Sequence, residues 1–160
     1  MDIGGFDLAM INVTLPDGTV NEYAAGITCA EVITDALGKK NGCLAALVDG
    51  QEKDMSHEIH QSCKVEGIKA ESDAGMYILR HSTAHLLAQA VTELYPDAKP
   101  TIGPAIDRGF YYDFAMEPIT EADLKPIQKK MQELARRNFT VERIELDESE
   151  LREHFATNSY

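Results

Sequence analysis

Residues 11–23 read INVTLPDGTVNEY, in which apolar and polar residues alternate on either side of a Pro-Asp-Gly turn. Alternation with a period of two is typical of half-buried β-strands. The Asp-Gly pair supplies the positive φ angle that a tight hairpin turn requires. The segment therefore predicts a β-hairpin.

A helix and two more strands are predicted after this hairpin. Thr28 and Glu31 have the spacing of a capping box, which stabilises a helix N-terminus by about 1 kcal/mol. The helix should end at Gly38, since glycine commonly terminates helices. Residues 44–48 and 64–68 predict strands. A sheet crossed by one helix predicts a small β-grasp-like domain.

A polar, weakly patterned stretch at residues 71–75 predicts a domain boundary. We expect an irregular leader over residues 1–9 and the β-grasp domain over 10–70. A second α+β domain is expected over 71–160. The predicted fold class is therefore α+β throughout.

The second domain is predicted to open with a long helix that carries two histidines. Ser72 or Asp73 would cap this helix, and Pro96 would end it. His81 and His85 are four residues apart, so they stack on one face. Larger apolar residues gather on another face, namely Leu79, Leu86, Leu87, Ala90, Val91 and Leu94.

The histidine pair is the best candidate for chemistry, because two imidazoles on a rigid helix can transfer protons or form half of a metal site. Ala84, Ala88 and Thr92 lie beside the pair and predict room for a ligand. Two solvated surface histidines explain the spacing equally well. Ser82 stands where the zinc-protease motif has Glu, and no further zinc ligands have recognisable spacing. A small zinc hydrolase remains an alternative.

Residues 100–114 predict a second hairpin that turns at 107–109. Residues 139–146 predict a further strand, and residues 148–155 predict a last helix.

Between these segments lies a predicted helix with a capping signal at Thr120–Asp123. Because Pro126 is tolerated only in a first turn, this helix should begin close to Asp123. Its apolar positions are Leu124, Ile127, Met131 and Leu134, and its basic residues are Lys125, Lys129, Lys130, Arg136 and Arg137.

The composition is that of a globular chain, with 44% hydrophobic and 26% charged residues in 160. A formal net charge of −12 argues against strong unaided attraction to nucleic acid or an anionic membrane. The three cysteines lack Cys-x-x-Cys spacing and predict free thiols in a reducing compartment. Without a signal peptide or an apolar run of ~20 residues, a cytoplasmic location is expected.

Three segments resemble the N-terminal part of the threonyl-tRNA synthetase family. Residues 13–18, VTLPDG, are similar to the opening of its TGS domain, a β-grasp module. Residues 80–87, RHSTAHLL, resemble the His-x-x-x-His signature of the threonyl/alanyl-tRNA synthetase editing domain. Residues 102–113, IGPAIDRGFYYD, are similar to the segment that follows it.

The resemblance implies a hydrolytic editing site. Rejecting serine, which lacks one methyl group of threonine, yields only ~1–3 kcal/mol in a single pocket, so a second site hydrolyses serine from mischarged tRNA for threonine. In this family His81 and His85 would be catalytic and orient the ester, its attacking water or the leaving hydroxyl. The backbone at Gly103 and the side chain of Tyr112 would bind substrate. No metal is implied.

The chain also departs from the family. The family's site is completed by a later Cys-x-x-x-His pair, which Cys29, Cys43 and Cys63 cannot replace because all three precede the histidine helix. The aminoacylation core, which uses ATP, Mg²⁺ and Zn²⁺ and forms the family's homodimer, has no counterpart here. We expect an N-terminal fragment without a cofactor of its own, unable to aminoacylate and weak or inactive in editing.

The expected partner is tRNA for threonine, bound weakly by the chain alone. The candidate phosphate contacts are Lys129, Lys130, Arg136 and Arg137, with Lys125 close by. A solvated helix face explains these cations as well. An alternative function is a stand-alone TGS-type module that binds a ligand or RNA and carries a vestigial histidine pair.

Overall fold

The computed structural model describes residues 9–139, 141 and 144–156. The predicted leader lies outside the described residues except for Ala9. The chain divides into two compact units, the first ending at Leu79 and the second beginning at Arg80. This division falls inside a helix, α2, whereas the predicted boundary lies between residues 70 and 71.

The elements follow one another in a mixed order of strands and helices, which confirms the α+β class. They are β1 Met10–Thr14, β2 Val20–Ala24, β3 Ile27–Thr28, α1 Cys29–Leu37, β4 Cys43–Val48, β5 Gln51–Lys53, β6 Glu58–Ile59, β7 Cys63–Lys69, α2 Asp73–Leu94, β8 Lys99–Pro100, β9 Ala105–Ile106, β10 Gly109–Phe110, β11 Phe114–Ala115, α3 Glu121–Arg137 and α4 Glu148–His154.

The first unit contains a five-stranded sheet in the order β2-β1-β7-β4-β5. The predicted hairpin is confirmed, because β1 and β2 pair antiparallel from Met10↔Ala24 to Thr14↔Val20. Gly18, with φ +86°, makes its turn. Strand β1 pairs in parallel with β7 on its other edge, where Val13 lies opposite Cys63. A strand from the end of the domain thus lies beside its first strand.

Helix α1 packs against this sheet and has the predicted cap. The Thr28 hydroxyl accepts from the Glu31 N–H at 3.3 Å, and the Glu31 carboxylate accepts from the Thr28 N–H at 2.9 Å. Gly38 ends the helix, as predicted. The core beneath it consists of Ile11, Val13, Cys29, Val32, Ile33, Ala46, Ile59 and Val65.

The strands predicted at 44–48 and 64–68 are confirmed as β4 and β7. Three short strands escaped prediction: β5, which pairs with β4, and the isolated pair β3 and β6. Each has only two or three residues. Strands this short carry no alternation that a sequence pattern can reveal.

The second unit has its own small core, formed by Val91, Ala98 and Ile127. The predicted helix is α2, and the Ser72 hydroxyl accepts from the Gly75 N–H at 3.0 Å at its start. The predicted hairpin is confirmed as β9 and β10. Strands β8 and β11 form a further antiparallel pair that the sequence did not reveal.

Helix α3 begins at Glu121, two residues before Asp123 and close to the predicted start. The Asp123 carboxylate accepts from the Thr120 N–H at 2.8 Å and from the Thr120 hydroxyl at 2.6 Å, so Thr120 is the cap and Asp123 the third helical residue. Pro126 therefore lies in the second turn, where it gives up one helical hydrogen bond.

The strand predicted over residues 139–146 is not formed by those of its residues that the structure describes. Thr140, Glu142 and Arg143 lie outside the described residues. Phe139, Val141 and Ile144 are 58%, 86% and 63% exposed. Strand-favouring residues are not sufficient, because a strand also needs a neighbour to pair with, and no described strand pairs here. The last helix is confirmed as α4.

Candidate functional site

The two histidines of α2 face each other closely. The Nε2 atoms of His81 and His85 are 3.0 Å apart, and the rings meet edge to face with centroids separated by 4.6 Å. Both side chains are exposed. A hydrogen bond between two ring nitrogens requires one ring to carry its proton on Nε2 and the other to accept there. The pair can therefore hold or pass one proton at a defined position.

The small residues beside the pair do not leave the predicted space. Ala84 is 0% and Ala88 9% exposed, so both are buried within the second unit. The Thr92 hydroxyl is used locally and donates to the Ala88 carbonyl at 3.0 Å. The predicted room for a ligand beside Ala84 and Ala88 is therefore wrong, since packing partners already cover these methyl groups.

The buried side of α2 is also shifted from the predicted apolar face. Ala84, Ala88 and Val91 are buried at helical spacing, with Ala90 next to them. Leu79, which was assigned to the buried face, is 45% exposed. The predicted face followed the large apolar side chains of α2. The residues that the structure buries are mostly small, because small side chains let packed elements approach the helix closely. The histidines thus lie at the edge of the buried side.

Arg80 was not singled out from the sequence, yet it connects the histidine segment to the hairpin β9–β10. Its guanidinium donates to the Ile106 carbonyl at 3.4 Å. Because Arg80 directly precedes His81, this bond ties the hairpin to the part of α2 that carries the pair. A lone arginine before a histidine motif gives no sequence signal for such a role.

The two predicted substrate-binding residues lie in contact. A Cβ atom at Gly103 would overlap the Tyr112 ring, so only glycine lets that ring lie against the backbone. Tyr112 also stacks on Phe114, with centroids 4.8 Å apart. The segments are joined by the Thr101 N–H, which donates to the Asp113 carbonyl at 3.0 Å. Gly103 and Tyr112 therefore form one surface.

The basic residues of α3 fall into two groups. Lys130 lies 3.5 Å from Glu93 and 3.2 Å from Glu133, and Arg137 pairs with the same two carboxylates. Lys129 and Arg136 are exposed and form no ion pair with the described part of the chain. The predicted tRNA contacts thus comprise two cations that hold α3 to α2 and two that project into solvent.

The three cysteines are free, and burial raises the pKa of each thiol. A thiol with a raised pKa holds little of the reactive thiolate form near neutral pH. Cys29, Cys43 and Cys63 all belong to the first unit, where Cys29 is part of the core and Cys43 and Cys63 pack against it. They act as small apolar side chains rather than as nucleophiles.

The described residues contain no group of three His, Cys, Asp or Glu side chains arranged to hold a metal ion. Within the same ranges, none of the helices combines the length and hydrophobicity needed to cross a bilayer.

The first unit has an open groove of 570 Å³ beside its two glycine turns. Pro16 and Gly18 of the β1–β2 turn line one side, and Asp49 and Gly50 of the β4–β5 turn line the other. The Asp49 carboxylate accepts from the Lys64 N–H at 2.8 Å, which fixes the second turn against β7. The groove therefore lies where the turns meet the ends of strands β1, β4 and β7.

Comparison with known proteins gives one domain match and several relatives. Residues 11–69 match the sequence family of the TGS domain. The chain is 48% identical over 141 residues to the threonine–tRNA ligase of Alkalilimnicola ehrlichii, which covers 86% of this chain and 22% of that protein. It is 47% identical over 136 residues to the threonine–tRNA ligase of Francisella tularensis, covering 82% of this chain and 21% of that protein.

The chain thus spans about a fifth of the length of the curated relatives it matches. The TGS match covers the β-grasp-like sheet, and the similarity to the ligases extends over most of the chain. On these two findings residues 11–69 carry a TGS domain, and the chain is similar over most of its length to a TGS-containing part of the threonine–tRNA ligases.

Proposed function

We propose that the second unit carries part of an editing site that hydrolyses the ester of serine wrongly attached to tRNA for threonine. The observation that supports this is the exposed pair of His81 and His85, whose Nε2 atoms are 3.0 Å apart. Acid–base assistance by such a group is typically worth ~10²–10⁴ in rate. The pair lies in a chain whose relatives are threonine–tRNA ligases.

The reaction adds water across an ester bond. The water oxygen attacks the carbonyl carbon of the serine ester, and the bond from that carbon to the tRNA ribose oxygen breaks. The attacking water loses a proton and the ribose oxygen gains one, so the products are serine and a free tRNA hydroxyl. In this proposal His81 and His85 accept and return that proton, and Gly103 and Tyr112 hold the aminoacyl group.

In the proposed whole protein this unit accompanies ATP-dependent attachment of threonine to its tRNA in the cytoplasm. ATP, Mg²⁺ and Zn²⁺ would serve the aminoacylation core, and the histidine site itself would use no metal. The described residues offer no set of three metal ligands around the pair. The chain by itself is proposed not to aminoacylate and to edit poorly, and a homodimer would form through the core.

The test is hydrolysis of Ser-tRNA for threonine by the purified chain and by His81→Ala, His85→Ala and double variants. We expect weak hydrolysis that falls by at least ~10²-fold in the double variant. Since His57 and His60 lie in the first unit, His57→Ala with His60→Ala is the matched control and should leave the rate unchanged. Hydrolysis that survives in the double variant would exclude the pair as catalytic residues.

A second candidate function is ligand or RNA binding by the TGS domain alone. The 570 Å³ groove between the two glycine turns favours it. Under this proposal the histidine pair is vestigial, and the double variant binds tRNA as the parent does. Substituting Lys64 in the groove by Gln would weaken that binding, whereas loss of hydrolysis only in the histidine variants supports the first candidate.

A further inference from the structure

Helix α3 carries three basic side chains that take no part in the described fold. Lys125, Lys129 and Arg136 are exposed, and no hydrogen bond or ion pair joins them to the residues the structure describes. On the same helix, Lys130 and Arg137 are both engaged by Glu93 and Glu133. The helix thus separates cations that serve its packing from cations that do not.

The three unengaged cations lie on one side of the helix. Their separations of four and seven residues return to nearly the same direction at about 100° per residue. With a rise of about 1.5 Å per residue, they form a row ~16 Å long. We name Lys125, Lys129 and Arg136 the α3 basic row. Gln128 and Gln132, which lie beside it, are uncharged.

The row is unusual in this chain, which has 27 acidic against 15 basic residues. Four carboxylates of the neighbouring sequence are engaged elsewhere, two with Lys130 and Arg137 and two in the caps of α3 and α4. Glu121, an exposed residue one turn before Lys125, adds one negative charge at the start of the row. The row still carries three positive charges over a length at which one strand of a nucleic-acid duplex carries about five phosphates. Its charge and spacing complement a phosphate backbone.

We propose that the α3 basic row binds the sugar–phosphate backbone of tRNA, and that Lys130 and Arg137 instead hold α3 to α2. This inference rests on the proposed function, because the proposed function is what identifies tRNA as the partner. It separates the basic residues of one helix by role. Backbone contacts of this kind position an RNA without reading its sequence.

The test is the salt dependence of binding between the purified chain and uncharged tRNA for threonine, measured from 25 to 200 mM KCl. Each lost phosphate contact lowers the slope of log K against log salt by roughly 0.7–0.9. Lys125→Gln with Lys129→Gln should lower it by roughly 1.5, and adding Arg136→Gln by roughly 2–2.5. Far-ultraviolet circular dichroism confirms that the exposed substitutions leave the fold intact.

The matched control is Lys39→Gln with Lys40→Gln, which removes the same charge from exposed positions of the first unit. This control should keep the parental slope. Equal losses in both double variants, or no measurable binding by the parent at 25 mM KCl, would overturn the inference.

The His81→Ala, His85→Ala variant distinguishes failure of the editing proposal from failure of the tRNA-binding proposal. It should bind uncharged tRNA with the parental slope, because binding requires no hydrolysis. Salt-dependent binding that needs the row, together with an absence of hydrolysis, would support the binding surface and reject the editing site. Hydrolysis with a slope that is independent of the row would do the reverse.

Discussion

Gly103 determines how the segment before the β9–β10 hairpin meets the segment after it. The ring of Tyr112 occupies the space that a Cβ atom would take, and the ring also stacks on Phe114. The constraint is one of volume rather than of backbone conformation. Gly103 and Tyr112 are thus a structural pair whatever ligand they bind.

Gly103→Ala is expected to destabilise the second unit by about 1–3 kcal/mol, since the methyl group must displace the ring. Urea unfolding followed by circular dichroism measures this change. In a Tyr112→Ala background the same substitution should cost little, because the ring is gone. An equal cost in both backgrounds would show that the ring is not what excludes the methyl group.

Asp123 links the start of α3 to the end of α2. Hydrogen bonds from the Thr120 and Tyr95 hydroxyls, together with the Thr120 N–H, lower its pKa to about 2. The Tyr95 hydroxyl donates to Asp123 at 2.7 Å. Because the pKa is lower in the folded state than in the unfolded chain, the ionised carboxylate stabilises the fold above about pH 4.

Asp123→Asn should therefore reduce stability at pH 7, and its difference from the parent should shrink as the pH falls from about 4 towards 2. Thermal unfolding across this range measures it. Asp97→Asn removes a charge at an exposed position and serves as control. A difference of the same size at pH 7 and pH 2.5 would contradict the role assigned to the ionised carboxylate.

The caps show how far individual elements can be predicted from sequence. The boxes at Thr28 and Thr120 were both recognisable, because their partners lie three residues away along the chain. The start of α3 falls two residues before Asp123, so Pro126 lies in the second turn rather than the first. A proline there gives up one helical hydrogen bond, while Asp123 caps the start of the helix through Thr120.

Thr28→Ala should destabilise the first unit by about 1 kcal/mol, through loss of the hydroxyl that accepts from the Glu31 N–H. Chemical denaturation measures the change. Thr28→Ser retains the hydroxyl and should stay within about 0.5 kcal/mol of the parent. If serine and alanine proved equally destabilising, the cap would not be the cause.

Elements that depend on distant partners were predicted less well. Phe139, Val141 and Ile144 are residue types that favour strands, yet no described strand lies beside them. Ala84 and Ala88 were read as open space, because their small size says nothing about what packs against them. Gly103 and Tyr112 were identified only through resemblance to a family, since no periodicity relates positions nine residues apart on either side of a turn.

At the scale of the whole molecule, the described residues form two hydrophobic cores that share no residue. The core of the first unit draws on residues from Ile11 to Val65, and that of the second on residues from Val91 to Ile127. Helix α2 belongs in part to each unit, because the division lies between Leu79 and Arg80. The first unit should therefore hold its structure without the second.

A chain comprising residues 10–79 is expected to unfold in one cooperative transition, with the sheet of the full chain intact. Dispersed amide resonances and a single urea transition are the measurements. The same truncation with Val13→Asp, which places a charge at a fully buried position, is the control that should not fold. Non-cooperative unfolding of the unsubstituted piece would show that its core depends on the second unit.

The parallel pairing of β1 with β7 has a consequence for the order in which the protein is made. Strand β1 acquires its hairpin partner β2 within a few residues, but its other edge waits for Cys63, about 50 residues later. At synthesis rates of roughly 5–20 residues per second, that edge stays open for ~2.5–10 s. Throughout this interval each nascent chain presents an unpaired strand edge to the nascent chains of neighbouring ribosomes on the same mRNA. The domain is therefore most exposed to misassembly when many ribosomes translate one mRNA at once.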